Sequence, residues 1–306
     1  MKRSRGGERG FTFLLVVWAL AILSMLALVF GSAVATHLKT SRNAVDNARA
    51  EAFADAGIAL ASMDLVAWRA QPTRAPRFPR DGRPARCSLG GDDWLAVAIE
   101  DEAGKVDLNA AGDRLLAAAL MAAGVAEDEA ARLAERLIDY RDSDEARHPD
   151  GAEAADYRDA GRAGPKNEPL DTIEEVEQVL GVPAGLADAL RPYATVYSGQ
   201  STVDARAARR RLLSGLSGES AMAGAESGGF DNMPAAASGF VSGAGAGRVF
   251  RVLAQARTIQ GAVFVREAIV EFVAATGGAF VFRRWRRGDA PVDDGAAVVP
   301  AGLPVC

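Results

Sequence analysis

One stretch constrains this 306-residue chain more than any other: from Phe11 to Ala35 there is no charged side chain. At about 1.5 Å of rise per residue, a helix of that length crosses the roughly 30 Å hydrocarbon core of a bilayer. Lys2, Arg3, Arg5 and Arg9 precede it, partly offset by Glu8. The positive-inside bias therefore places residues 1–10 in the cytoplasm and everything after Ala35 on the other side. The expectation is a single-pass inner-membrane protein with an exported, periplasmic C-terminal part.

The apolar run has three possible fates. As an ordinary secretory signal it would be cut at Ala33-Val34-Ala35, but such signals have apolar cores of about 7 to 15 residues, and no helix breaker precedes the site. As a plain anchor it would stay uncut. As a prepilin-type leader it would be cut on the cytoplasmic side after Gly10, leaving the helix attached to the exported domain. Gly10-Phe11-Thr12, at the polar-to-apolar boundary, resembles the site that prepilin peptidases recognise, and this third reading is adopted.

About 270 residues remain beyond the span, enough for one large or two modest cores. The net charge of −5 is unevenly spread: residues 101–192 hold 22 Asp and Glu against 10 Lys and Arg. An acidic middle argues against a nucleic-acid surface, whose affinity comes mainly from cations displacing counterions. Cys87 and Cys306 are the only cysteines. A disulfide is permitted on the exported side, but the pairing does not follow from sequence. With only His37 and His148 beside them, they make no zinc site.

Beyond the span, Val45, Ala48, Ala52, Ala56, Leu60, Met63 and Val66 recur at intervals of three and four, which predicts that the helix continues to about residue 70 with this stripe on a sheet. Its many alanines imply close packing. Pro72, Pro76, Pro79 and Pro84 end the helix, so 71–92 reads as an irregular connection. Trp94–Ile99 and Lys105–Leu108 read as a hairpin around Asp101 to Gly104. Helices are expected over 112–123, 128–141, from the Thr172 cap to about Leu180, and over 184–191, followed by a strand at Tyr193–Tyr197. Residues 106–116 and 203–213 match at seven of eleven positions, each reading as a strand end feeding a helix. The Gly-, Ser- and Ala-rich stretch 214–247 reads as a flexible loop. Runs at 248–257, 262–273 and 279–285 read as three antiparallel strands. The arginines Arg283, Arg284, Arg286 and Arg287 beside Trp285 read as a charged, solvated strand edge rather than a nucleic-acid patch.

No nucleophile–base set, phosphate loop or zinc-protease motif is present, so catalysis is unsupported. The best chemical constellation is the loop carrying Asp142, Asp144, Asp150, Glu153 and Asp156. Its carboxylates supply the hard oxygens that calcium takes six to eight at a time. The spacing is not that of an EF-hand, and a solvated acidic loop with Arg147 and Arg158 as partners is the alternative. The turns Gly124-Val125-Ala126 and Gly181-Val182-Pro183 resemble helix-hairpin-helix DNA-binding modules, but each lacks the second glycine.

Gly10-Phe11-Thr12, Asp101 to Asn109, Asp139 to Asp144, Gly151-Ala152-Glu153 with Asp156-Tyr157, and Glu174 to Gly181 together resemble the minor pseudopilin K family of bacterial type II secretion systems. Most pilin-like proteins have glutamate five residues after the cleavage site, where this chain has Leu15. That absence is usual in the K family; a subunit with no neighbour above it has no amine to neutralise, and an unpaired carboxylate in the membrane is costly.

The resemblance implies an α+β, pilin-like fold with a long N-terminal helix, an antiparallel sheet and an inserted all-α, SAM-like domain. Its parts would be a leader (1–10), transmembrane helix (11–35), periplasmic amphipathic helix (36–70), linker and first strands (71–108), helical insert (109–192), and the remainder of the pilin-like domain (193–306). It further implies cleavage between Gly10 and Phe11, N-methylation of Phe11, calcium in the globular domain, and a non-enzymatic role at the pseudopilus tip. Its partners would be minor pseudopilins I and J, the prepilin peptidase and other inner-membrane secretion components, with no nucleic acid. A minor pilin of a type IV pilus or DNA-uptake fibre is the alternative.

Overall fold

A computed structural model describes residues 8–217, 240–242, 247–273, 280–289, 292 and 303–306. Residues 1–7 of the expected leader and most of the expected loop 214–247 lie outside the described residues. Helix α1 runs from Glu8 to Ala70, about 95 Å at the usual rise. Its Phe11–Phe30 portion is exposed throughout.

The upper half of α1 lies on one face of a five-stranded antiparallel sheet. The first two strands are β1 (Ala85–Gly90) and β2 (Asp93–Asp101). The hairpin expected around Asp101 to Gly104 does not form. Asp101 instead caps a short 3-10 turn, Glu102–Gly104, by accepting from Ala103 N at 3.0 Å, and β3 (Val106–Asp107) leaves the sheet to pair in parallel with β4 (Ala194–Thr195). A two-residue strand lacks the length to compete with the nine-residue β2 for the main sheet.

Between β3 and β4 the chain builds α2 (Asp113–Ala122), α3 (Glu127–Arg141), α4 (Ala154–Asp159), a 3-10 segment at Ile173–Gln178 and α5 (Leu186–Leu190). Thereafter β5 (Val203–Asp204) leads into α6 (Arg210–Ser217), which packs on α2, and β6 (Val241–Ser242) pairs in parallel with β5. The helical core extends from Val106 to Leu216. The repeat seen in sequence is structural: Asp107 Oδ1 accepts from Asn109 N and Asp204 Oδ1 from Arg206 N, at 2.8 and 2.9 Å, and each aspartate's carbonyl closes the same turn ahead of a helix.

The chain then returns as β7 (Val249–Arg257), β8 (Val263–Phe272) and β9 (Phe280–Arg287), giving the order β1-β2-β7-β8-β9. The last residues run to the opposite edge: Ser88 N donates to Pro304 O and Cys306 N to Ser88 O, both at 2.8 Å, and Cys87 is disulfide-bonded to Cys306.

Helix α1 buries a different stripe from the one its periodicity suggests. Ala50, Ala54, Ile58, Ala61 and Leu65 face the sheet; of the expected stripe, Leu60 and Val66 are half-buried against the same core, whereas Val45, Ala48, Ala52, Ala56 and Met63 are exposed. At 100° per residue the two stripes lie on opposite sides of the helix. Polar anchors select between them. Asp46 accepts from Thr258 Oγ1 at 2.9 Å; Arg49 pairs with Asp93, which also accepts from Ile259 N; and Arg266 pairs with Glu51 and Asp55 at 2.6 and 2.5 Å. Gly57 marks the tightest approach, since a Cβ there would stand 2.8 Å from both Ala254 Cβ and Leu95 Cδ1.

Candidate functional site

Two regions carry chemistry or an unpartnered surface: the acidic loop after α3, and the side of α1 and β9 turned away from the rest of the molecule.

The loop is organised by a residue the composition-based reading passed over. Asp139, on the last turn of α3, is fully buried and holds His148 Nδ1 at 2.5 Å. Asp142 follows one turn later, and ligand atoms of Asp139, Asp142 and His148 all lie within 4.8 Å of one another. Gly151 packs directly on the Asp139 carboxylate, so closely that no Cβ fits. Glu153 precedes α4 with both carboxylate oxygens buried and without a partner, and Asp142 Oδ1 is in the same condition. So is Asn167 Oδ1, on a side chain whose amide donates to Glu145 at 3.2 Å. Burial, reinforced by Asp139, Glu145, Asp142 and Asp144, pushes the Glu153 carboxyl up to about 7. Buried acceptors without donors are costly, and here several of them converge.

Of the five expected ligands, Asp142, Asp144 and Glu153 share this electrostatic locus, whereas the other two do not. Asp156 accepts from Glu153 N at 3.0 Å and pairs with Arg147 at 3.2 Å; Asp150 is exposed, and its backbone N–H, not its carboxylate, is held by Glu135 at 2.7 Å. Asp139, Glu145 and Asn167 lie in the same neighbourhood. An acid at the end of a helix, one turn before the loop, was the signal for Asp139, and Asn167 gave no local signal because it enters from the far side. Its φ of 51° belongs to the left-handed region that asparagine tolerates.

The arginines of β9 are ion-paired rather than collected for phosphate. Arg283 pairs with Glu271; Arg284 meets Glu174 at 3.2 Å; Arg286 meets Glu267 at 3.2 Å; and Arg287 stacks on Phe264. Burial alone would raise Glu174, but a backbone N–H and the Arg284 and Arg191 guanidinium groups bring it down to about 2, which ties the helical unit to β9. At the turn that resembled a DNA-binding hairpin, Arg136 donates to Leu180 O at 3.1 Å and covers Gly181, where phosphate would have to approach.

A long helix, apolar enough over Phe11–Phe30 to cross a membrane, laid over an antiparallel sheet with helices inserted between two strands, defines an α+β protein of pilin-like architecture. Residues 96–199 match the family model of type II secretion system (T2SS), protein K. A chain of the GspK-GspI-GspJ complex from the type 2 secretion system of enterotoxigenic Escherichia coli has a similar fold, with TM-score 0.63 and 16% identity over 82% of this chain and 100% of that one. No curated protein sequence matches. Over residues 96–199 the chain is thus similar to T2SS protein K, and over most of its length it shares the fold of a chain in that complex.

Proposed function

We propose that this protein is the minor pseudopilin that occupies the tip of a type II secretion pseudopilus, initiating or capping the fibre together with minor pseudopilins I and J. The observation that carries the reading is the double-sided α1. One stripe covers the chain's own sheet; the opposite stripe, Val45, Ala48, Ala52, Ala56 and Met63, faces outward and continues below into the fully exposed span Phe11–Phe30. A helix whose outer side carries small and apolar residues above a membrane span is built to lie beside other anchored helices. Leu15 supports the tip position for the reason of charge given above.

The same reading includes cleavage between Gly10 and Phe11, methylation of the new amine, an inner-membrane anchor and a periplasmic globular domain. It also includes calcium at the acidic loop, where Asp142, Glu153, Asp139 and Asn167 offer oxygens; the ion would neutralise carboxylates that otherwise repel one another. Co-purification of the full-length chain with the I and J subunits of its own system tests the assembly. A stable complex is expected, and absence of any complex in membranes containing all three would refute the role. Mass spectrometry should find a methylated Phe11 at the N-terminus, and an intact Met1 or a terminus at Thr36 would refute the processing.

A further inference from the structure

Below the sheet, the side of α1 that carries it continues toward the membrane span. Asp46 ties α1 to the β7–β8 turn, accepting from Thr258 Oγ1 at 2.9 Å and from Ala262 N at 3.3 Å. At 100° per residue, Lys39 and Arg42 point within about 20° and 40° of Asp46, so both lie under the sheet. Both are exposed, and neither has an ion-pair partner among the described residues. Gln260, at the tip of the turn, lines a groove with Leu38, Ser41, Arg42 and Val45, which sets the tip level with Ser41 and Arg42. Ile259 beside it is 59% exposed. The acids next to the turn are occupied: Asp46 as above, and Asp93 by Arg49 and Ile259 N. Asp92, on the β1–β2 turn at the same end, is exposed. Residues 101–192, with 22 acidic against 10 basic side chains, join the sheet at the opposite ends of β2 and β7.

We infer that α1 leans toward the sheet in the bilayer, so that Lys39, Arg42 and the tip of the β7–β8 turn rest on anionic lipid headgroups; the inference rests on the single-pass anchor proposed above, not on the tip role. The uncharged run Phe11–Ala35 is about 37 Å long as a helix, about 7 Å more than the hydrocarbon core. A lean of about 35° takes up the excess, and flanking cations set its direction. Leaning toward the sheet puts Lys39 about 5 Å and Arg42 about 9 Å above the core, with side chains directed toward the membrane end of the helix and stems long enough to reach lower. The tip stands about 10 Å to the side of the helix axis, the usual spacing of packed layers. The same lean lowers it to about 3 Å above the core, within a headgroup layer about 5–7 Å deep. The opposite lean lifts the tip to about 14 Å and turns both cations away from the lipid. Height therefore names the occupant, and charge names its kind. An anionic surface attracts the two unpaired cations within a Debye length and repels the acidic residues 101–192 to the far end, whereas a zwitterionic surface does neither. The seat holds the isolated subunit in one orientation before it assembles.

The test uses the full-length chain in lipid nanodiscs, of phosphatidylcholine alone or with about two-fifths phosphatidylglycerol. Hydroxyl-radical oxidation of Ile259, measured against Met63 on the outer side of α1, should fall at least threefold in the anionic discs. It should recover in about 1 M salt, where the Debye length is about 3 Å. Lys39→Gln/Arg42→Gln, which alters two exposed side chains, should abolish the difference between the discs, and Arg158→Gln, on the helical unit, should keep it. Inorganic phosphate added to the zwitterionic discs should give no protection; protection there would mark a site for free anions and overturn the lipid seat. Equal oxidation in the two discs, or a difference that survives in the double variant, overturns the seat and leaves the anchor standing. A chain that carbonate extracts from liposomes of the same lipids overturns anchor and seat together.

Discussion

Cys306 is bonded to the first strand of the sheet, and removing that bond should cost as much as the largest single core substitutions. Cys87 and Cys306 are 219 residues apart. In the chain-entropy account, a loop of that length removes about 18 cal/mol/K from the unfolded ensemble, or about 5 kcal/mol at 25 °C. Measured effects run smaller, because unfolded chains retain structure, so about 3–5 kcal/mol is expected. The double variant Cys87→Ser/Cys306→Ser avoids a stray thiol. It also frees the strap that Ser88 holds through Pro304 O and Cys306 N, leaving the β1 edge unpaired. Urea denaturation of the detergent-solubilised protein should show the loss, and hydrogen exchange at Ser88 should accelerate while β7 and β8 stay protected. A variant within about 1 kcal/mol of wild type, with Ser88 still slow to exchange, would refute the strap and the magnitude drawn from it.

Gly57→Ala should destabilise by about 1–2 kcal/mol, because the overpacking against Ala254 and Leu95 outweighs the better helix propensity of alanine; a higher melting temperature would refute the close approach. Asp101, lifted to about 6 from 3.8 chiefly by burial and then by Asp204 and Glu102, is a carboxyl that binds its proton more tightly when folded. Its contribution to stability therefore falls as pH rises from about 4 to about 6, and Asp101→Asn should flatten that slope and raise stability at pH 7.5 by up to about 3 kcal/mol. An unchanged difference curve between the two proteins across that window would contradict this environment. Chelation should lower the melting temperature of wild type by several degrees and leave Glu153→Gln little affected, and equal responses would return the acidic loop to a solvated role.

Much of the architecture was legible where a segment's own pattern met no competitor. The three strands β7 to β9 came from β-branched and aromatic runs between glycine turns, and α2 and α3 from apolar periodicity with an acidic first turn. Helix α4 was missed because six residues carry too little periodicity to register. The stripe on α1 was misplaced because that helix has two, and periodicity does not say which one meets the sheet. At the acidic loop, residue type located the region, but the pairing of Asp156 with Arg147 and the burial of Glu153 required the fold.

Local chemistry alone determined a helix long and apolar enough to cross a membrane, and also the repeated aspartate turns at Asp107 and Asp204, whose hydrogen bonds close within four residues. Tertiary structure decided what depends on distant partners. It placed Cys306 on β1, brought Asn167 beside the carboxylates after α3, and turned one side of α1 inward through Asp93, Thr258 and Arg266. The physical reason is the same in each case: a hydrogen bond or ion pair between residues far apart in the chain has an energy that no local window contains. The outward stripe of α1 and the half-exposed rings of β9 are what remains once those long-range bonds have chosen.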